Sequence, residues 1–299
     1  MRFYLSPRSE RAFSAERTST LTVDTNVRFC NAMSSTLRAR RAAFIALEGL
    51  RKTFSRENEH VEAVASVDLE IEREEIVALI GPSGCGKSTL LHVIAGLYEP
   101  TAGRVFYGGA EVTSVNTAVG YMTQKETLLP WRTVQDNIAL PLEITGVSKK
   151  ERFQRAQHFI DQMGLSGFER RYPSELSGGM RKRAALARML LYSPETLLLD
   201  EPFGALDAQL KIAMHELLLG LYEKHRQTIV LVTHDLMEAV TLADRVIVLT
   251  NRPARVTFMQ HIPLPRPRDV HNIRFTNKFK ELYDVVWERL RSQYLEERL

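Results

Sequence analysis

Cysteine is almost missing: Cys30 and Cys85 are the two in 299 residues. Two thiols cannot staple a chain of this length, which excludes a disulfide-built secreted fold and fits a reducing compartment. No apolar run approaches the ~20 residues that a membrane-crossing helix needs. The most apolar stretches, Ile76 to Ile80, Leu197 to Leu199 and Ile229 to Val232, are strand-sized. Any work at a membrane therefore needs a partner to hold the chain there. The first thirty residues lack an apolar h-region, so no secretory signal is read. Glycine and proline, 16 and 12, are too few for collagen-like or low-complexity chains. Excess charge is also small, at +4, and it is uneven: residues 1–45 carry +5 and the remainder −1. A near-neutral body gives no reason to expect nucleic acid as a partner.

Residues 1–42 are Arg-, Ser- and Thr-rich without a sustained period and read as a disordered extension. Three accounts fit them: a solvated tail or a start placed too early (Met33 rather than Met1), a basic arm on anionic lipid, and a transit peptide. The first is preferred. From Ala43 the chain becomes regular. Phe44 to Leu47 is strand-like, Ala63 to Glu70 alternates weakly, and Ile76 to Ile80 reads as a fully buried parallel strand. Helical character follows over Ser88 to Leu97. Residues 132–190 read mostly helical, with openings at Thr133–Asp136 and at the capping-box pattern Ser148–Glu151. Strand Thr196–Leu199, helix 207–224, strand Ile229–Val232, helix Leu236–Leu242 and strand Arg245–Leu249 then alternate. Such alternation is α/β with a parallel sheet. The helical block, about 125–190, lies between two halves of it. Prolines cluster past Arg252, and Asn277 to Leu299 is amphipathic and predicted helical.

The strongest motif is Gly81, Pro82, Ser83, Gly84, Cys85, Gly86, Lys87 and Ser88, followed by Thr89. It fits G-x-x-x-x-G-K-[ST] between a buried strand and a helix. Glycines let the backbone curl so that successive N–H groups face phosphate oxygens. The helix start adds its positive end. Lys87 supplies a point charge to the terminal phosphates, and the Ser88 hydroxyl suits Mg²⁺. Cys85 is read as a small loop residue rather than a catalytic thiol.

A second signal is the apolar Leu197–Leu199 ending in Asp200 and Glu201. Acids at the C-terminal edge of a sheet strand lie where open α/β folds bind ligands. Asp200 is read as a Mg²⁺ holder through water and Glu201 as the general base for an attacking water. A third is Ser177, Gly178 and Gly179 before a helical run, another anion-binding helix start. One chain needs a single phosphate loop, so the second is explained most simply as reading a nucleotide on another copy.

These residues resemble the ATP-binding cassette (ABC) transporter ATPases over about 43–262. Gly81 to Thr89 resembles Walker A, and Leu176 to Met180 the family signature, with Met180 where Gln is commonest. Leu197 to Glu201 resembles Walker B, Ala205 to Asp207 the D-loop, and His234 the switch histidine. Gln124 is similar to the Q-loop glutamine that contacts Mg²⁺ and the attacking water. The resemblance implies a P-loop NTPase core with a parallel sheet, an antiparallel β subdomain and an inserted helical subdomain. It also implies an aromatic ring on adenine upstream of Walker A; Phe54 is the candidate and His60 a weaker one. Leu128 to Val134, the Ser-Gly-Gly-Met run and Glu201 to Asp207 are similar to importers of nitrate, sulfonates and taurine.

That family implies ATP and Mg²⁺ as cofactors and a head-to-tail homodimer of nucleotide-binding domains. It implies transmembrane permease subunits, with a periplasmic or extracellular solute-binding protein acting indirectly, at the cytoplasmic face of the inner membrane. Leu128, Leu129 and Trp131 form a candidate permease contact patch; packing inside the helical block is the alternative. A soluble ABC-type ATPase of DNA repair or translation is the competing reading. The segment 263–299 carries no motif: packing on the cassette and assisting a dimer both stay open.

Overall fold

The computed structural model describes residues 43–56, 59–125, 127–204 and 206–296. The expected extension 1–42, Ala205 of the D-loop-like segment and the last three residues lie outside these. The described residues build two sheets. The first is antiparallel and four-stranded, in the order β2-β1-β4-β5: β1 (Ile45–Arg56), β2 (Glu59–Ile71), β4 (Ala102–Tyr107) and β5 (Ala110–Glu111). The second has six strands in the order β10-β9-β3-β8-β7-β6. These are β3 (Ile76–Ile80), β6 (Val119–Met122), β7 (Thr196–Asp200), β8 (Thr228–Val232), β9 (Arg245–Leu249) and β10 (Val256–His261). Neighbours from β9 to β6 pair in parallel; β10 closes the edge antiparallel to β9.

The continuous apolar runs become strands because both faces of this sheet are covered. Side chains alternate across a strand, and the two cores divide accordingly. Ile76, Ala78, Ile80, Leu197, Leu199, Ile229 and Leu231 enter a core built with the helices. Val77, Leu79, Leu198, Val230 and Val232 enter the other, shared with the antiparallel sheet and helix α1 (Lys87–Ile94). Every residue of β3, β7 and β8 is buried.

The helical block contains α2 (Val134–Ile144), α3 (Lys149–Gln162) and α4 (Gly178–Tyr192). Thr133 caps α2, accepting from the Asp136 amide at 3.2 Å and donating to its carboxylate at 2.6 Å. At α3 the capping box is half formed: Ser148 accepts from the Glu151 amide, but the Glu151 carboxylate pairs with Arg155. Helix α5 (Ala208–His225) and α6 (Leu236–Leu242) follow β7 and β8. The expected strand at Phe44–Leu47 runs on to Arg56, so Phe54 stands on a strand.

The C-terminal helix α7 (Asn277–Glu296) buries Phe279, Leu282, Val286 and Leu290 in the same core as the parallel sheet. Its approach is fixed at the N-terminal edge of β3. There Asp244 accepts from the Ile76 amide at 3.0 Å, from Arg266 at 2.7 and 3.1 Å, and from Arg268 at 3.4 Å. Arg268 is buried and also donates to the Thr241 and Ala243 carbonyls. Burial lowers its guanidinium pKa to about 10, with repulsion from Arg266 assisting, so it remains a cation at neutral pH. Removing its anion strands a buried charge. Asp244→Ala is expected to cost about 3–5 kcal/mol, read as a lower urea midpoint at constant slope.

Candidate functional site

Parallel pairing in register brings four strand ends to one edge. Met122 lies opposite Leu199, Asp200 opposite Val232, and Leu79 opposite Val232. The next residues along each strand, Gly81, Gln124, Glu201 and His234, therefore meet beyond the sheet. Of these, Gln124 and Glu201 line a cavity of about 400 Å³ with Ser83, Gly84, Gly86, Lys87, Ser88, Thr89 and Phe54, together with Val61, Ala63, Val232 and Arg252.

The phosphate-loop segment curls between β3 and α1. Gly86 has φ 119°, and a Cβ there would stand 2.5 Å from the Ala63 carbonyl, so only glycine fits. Lys87 is buried and donates to the Gly81 and Pro82 carbonyls at 2.8 and 2.7 Å. Its third donor reaches Cys85 Sγ at 3.8 Å, a weak contact that a phosphate oxygen can replace. Cys85 is buried, and burial pushes its thiol up, with Lys87 opposing. A raised pKa leaves less thiolate, the reactive form, at neutral pH.

Asp200 is 3% exposed. Burial raises its carboxyl pKa, while a hydrogen bond from Ser88 pulls the other way. Ser88 and Asp200 thus face each other as hard oxygen donors. The Gln124 amide nitrogen donates to Glu201 Oε2 at 3.0 Å, which leaves its carbonyl oxygen unspent. Among the described residues no cluster of three His, Cys, Asp or Glu side chains suits a metal. A hydroxyl, one carboxylate and one amide oxygen beside a phosphate loop do suit Mg²⁺, which binds through few protein groups and phosphate.

Glu201 is the hub. It takes a positive φ of 49°, uncommon for a residue with a side chain. Three bonds hold it there: its amide donates to Val232 O at 2.9 Å, and its carbonyl accepts from Lys182 Nζ at 2.7 Å and the Gly204 amide at 3.3 Å. Its carboxylate meets Gln124 on one oxygen and His234 Nδ1, at 3.3 Å, on the other.

His234 is steadied by its neighbours. The Thr233 hydroxyl donates to Glu238 at 2.6 Å, and the Asp235 amide donates back to Thr233 at 3.0 Å. Lys211 on α5 joins Asp235 at 3.1 Å and the buried Glu238 at 2.9 Å. Lys182, Lys211 and Glu238 were not singled out from the sequence; each looks like an ordinary helix charge until tertiary contact gives it a partner.

Five predicted residues lie apart from this cavity. Ser177 caps α4, accepting from the Met180 amide at 3.2 Å, and it is exposed with Gly178 and Gly179 beside it. Asp207 caps α5, accepting from the Leu210 amide at 2.9 Å. His60 bonds Ser55 across the β1–β2 pair and is not in the lining, whereas Phe54 is. Phe54 meets Tyr98 edge-on at 5.4 Å and Lys52 at 5.2 Å.

A second concavity, about 440 Å³, opens on the helical block. Leu140, Pro141, Ile144, Met189 and Tyr192 line it with Lys125 and Arg188. Leu128 is buried in the core, and Asn137 pins the following turn through Leu129, Arg132 and Thr133. Of the expected contact patch, Trp131 alone is exposed, at 70%. Leu128 packs inside because the turn is closed by that buried amide.

His215 on α5 packs against Phe203 at 4.7 Å, two residues past Glu201. Burial lowers its pKa to about 4, with Lys211 adding to the effect. The unfolded chain takes this proton near pH 6.5 and the folded chain does not, so its stabilising contribution is lost as pH falls from 6.5 toward 4. His215→Gln is expected to flatten the fall in unfolding free energy between pH 7 and 5, measured by urea titration.

Comparison with known proteins agrees with this geometry. The ABC transporter family matches residues 64–204. An uncharacterized ABC transporter ATP-binding protein of Methanocaldococcus jannaschii is 44% identical over 81% of this chain and 91% of its own length. A nitrate import ATP-binding protein of Synechocystis is 40% identical, over 85% of this chain and 97% of its own. An aliphatic sulfonates import ATP-binding protein of Bacillus cereus is 38% identical, over 82% and 95%. A dimeric ATP-binding cassette in a post-hydrolysis state, bound to ADP and Pi, superposes with a TM-score of 0.69 at 31% identity, covering 74% of this chain and all of that one. With a phosphate loop, a paired acid edge and a switch-type histidine on this sheet, the chain belongs to the ABC transporter ATP-binding family and is an ATPase of that kind.

Proposed function

We propose that the chain is the ATP-hydrolysing subunit of an importer for a small anion such as nitrate, an aliphatic sulfonate or taurine. One observation carries the coupling to transport. Past β6, Thr123 and Lys125 line the apolar groove, while Gln124 between them lines the nucleotide cavity. A segment alternating between the two can report on one to the other. Relatives named for nitrate and sulfonate import support the cargo class.

The phosphate loop holds ATP through its amides and Lys87, with Phe54 against the base. Ser88, Asp200 and Gln124 would hold Mg²⁺, which supplies neutralisation of charge on the β- and γ-phosphates. Glu201 accepts the proton of the attacking water, and His234 orients that carboxylate or the γ-phosphate. In a head-to-tail homodimer, Ser177, Gly178 and Gly179 of one copy meet the nucleotide of the other, with Asp207 nearby. Exposure of Ser177 and Asp207, away from their own cavity, supports that pairing. No helix among the described residues is long and apolar enough to cross a membrane. We assign the chain to the cytoplasmic face of the inner membrane, held by permease subunits seated in the groove and served indirectly by a solute-binding protein.

Turnover by the purified chain, alone and with permease, binding protein and candidate anions, tests the reading. Stimulation by one anion supports it; turnover indifferent to any permease favours a soluble ATPase. Glu201→Gln is expected to retain ATP, to lose about 10²–10⁴-fold in kcat and to run as a dimer on size exclusion with ATP. Ile144→Glu, placing a charge in the groove, is expected to abolish co-purification with the permease while moving the urea midpoint by less than about 0.5 kcal/mol.

A further inference from the structure

One cation in the nucleotide cavity has no assigned role. Arg252 lines that cavity with Phe54, Ala63 and Gly86, and its side chain is exposed. None of the described residues pairs with its guanidinium, although most other arginines near the sheet have found a carboxylate or carbonyl.

The backbone beneath it is fixed. The Ala254 amide donates to Ala63 O at 2.9 Å, and the Ala65 amide to Ala254 O at 3.0 Å, which seals the loop to β2. The Thr250 amide donates to Arg255 O at 3.0 Å, and its hydroxyl donates to Pro253 O at 3.0 Å. The Arg255 amide returns a bond to that hydroxyl at 3.0 Å. On the other side the Asn251 amide nitrogen donates to Gln293 O of α7 at 3.2 Å. Ala254 also packs against the phosphate loop: a Cβ on Gly86 would meet its Cβ at 3.1 Å.

A guanidinium on a loop whose backbone is pinned, lining a cavity built for a polyanion, is placed to make an anion contact. Its place along the nucleotide follows from the residues beside it. Phe54 and Val61 mark the base end, Lys87 and Ser88 the terminal phosphates, and the Arg252 loop is anchored at Ala63 and Gly86 between them. We propose that Arg252 is a nucleotide-binding residue that grips ATP at its α-phosphate, presented by a loop that the C-terminal helix helps to hold. This rests on the ATP site described above and adds a contact outside its motifs.

Binding of ATP and of ADP to the full chain, by calorimetry, tests it with Arg252→Ala, Arg252→Gln and Arg252→Lys. Arg252→Ala and Arg252→Gln are expected to raise Kd by about tenfold, equally for ATP and ADP because both carry the α-phosphate. Arg252→Lys is expected to stay within about threefold of the parent, since an ammonium still meets phosphate as a point charge. Unchanged Kd values in Arg252→Ala would overturn the proposal, and a loss confined to ATP would overturn the α-phosphate assignment. Equal losses in Arg252→Lys and Arg252→Ala would overturn the role of charge. If the parent chain bound no ATP, the site itself would fall; binding by the parent with an indifferent Arg252→Ala fails this inference alone.

Discussion

Register in the parallel sheet is the constraint on which the site depends. Gln124, Glu201 and His234 come from three strands far apart in sequence, and they meet because β6, β7 and β8 end level with one another. A slip of one residue in any pair would turn its side chains to the wrong face. The two cores forbid that slip, since alternate residues of each strand are claimed by opposite sides. Burial of the sheet and placement of the chemistry are therefore one requirement.

Glu201 shows how local strain is held by that frame. Its left-handed backbone lifts the carboxylate off the strand line, and the three bonds to Val232, Lys182 and Gly204 fix it from two sides. Gln124 and His234 both bind the carboxylate. A γ-phosphate and its water entering between them would exchange these bonds for contacts to the substrate. Such an exchange is inexpensive because partners swap and no buried polar group is left bare.

Much of this was legible in the sequence where chemistry forces a pattern. The run Ile76 to Ile80 before a glycine loop, and Leu197 to Leu199 before two acids, give both strand and site. Three kinds of feature were not legible. Strand β4 shows one buried residue among six, so it has no period to read. Leu128 sits in a motif that suggests an exposed patch, yet Asn137, distant by nine positions, turns it inward. Asp244, Lys182 and Glu238 look like surface charges because their partners lie on other elements. The same holds for Arg252, whose place at the cavity depends on a loop sealed to β2.

The signature segment completes the logic of the fold. Ser177 caps α4 at an exposed end, away from the cavity of its own copy. Lys182, about 7.5 Å further along that helix, reaches the carbonyl of Glu201. A nucleotide held by the partner copy at Ser177 would thus bear on a rigid helical turn joined directly to the catalytic edge of this one. In the proposed dimer, α4 would let each copy sense whether the opposite site is filled. A helix is suited to this because its backbone bonds transmit displacement along the axis with little loss. Two incomplete sites, each finished by the other chain as proposed, would make closure and hydrolysis a property of the pair rather than of the single fold.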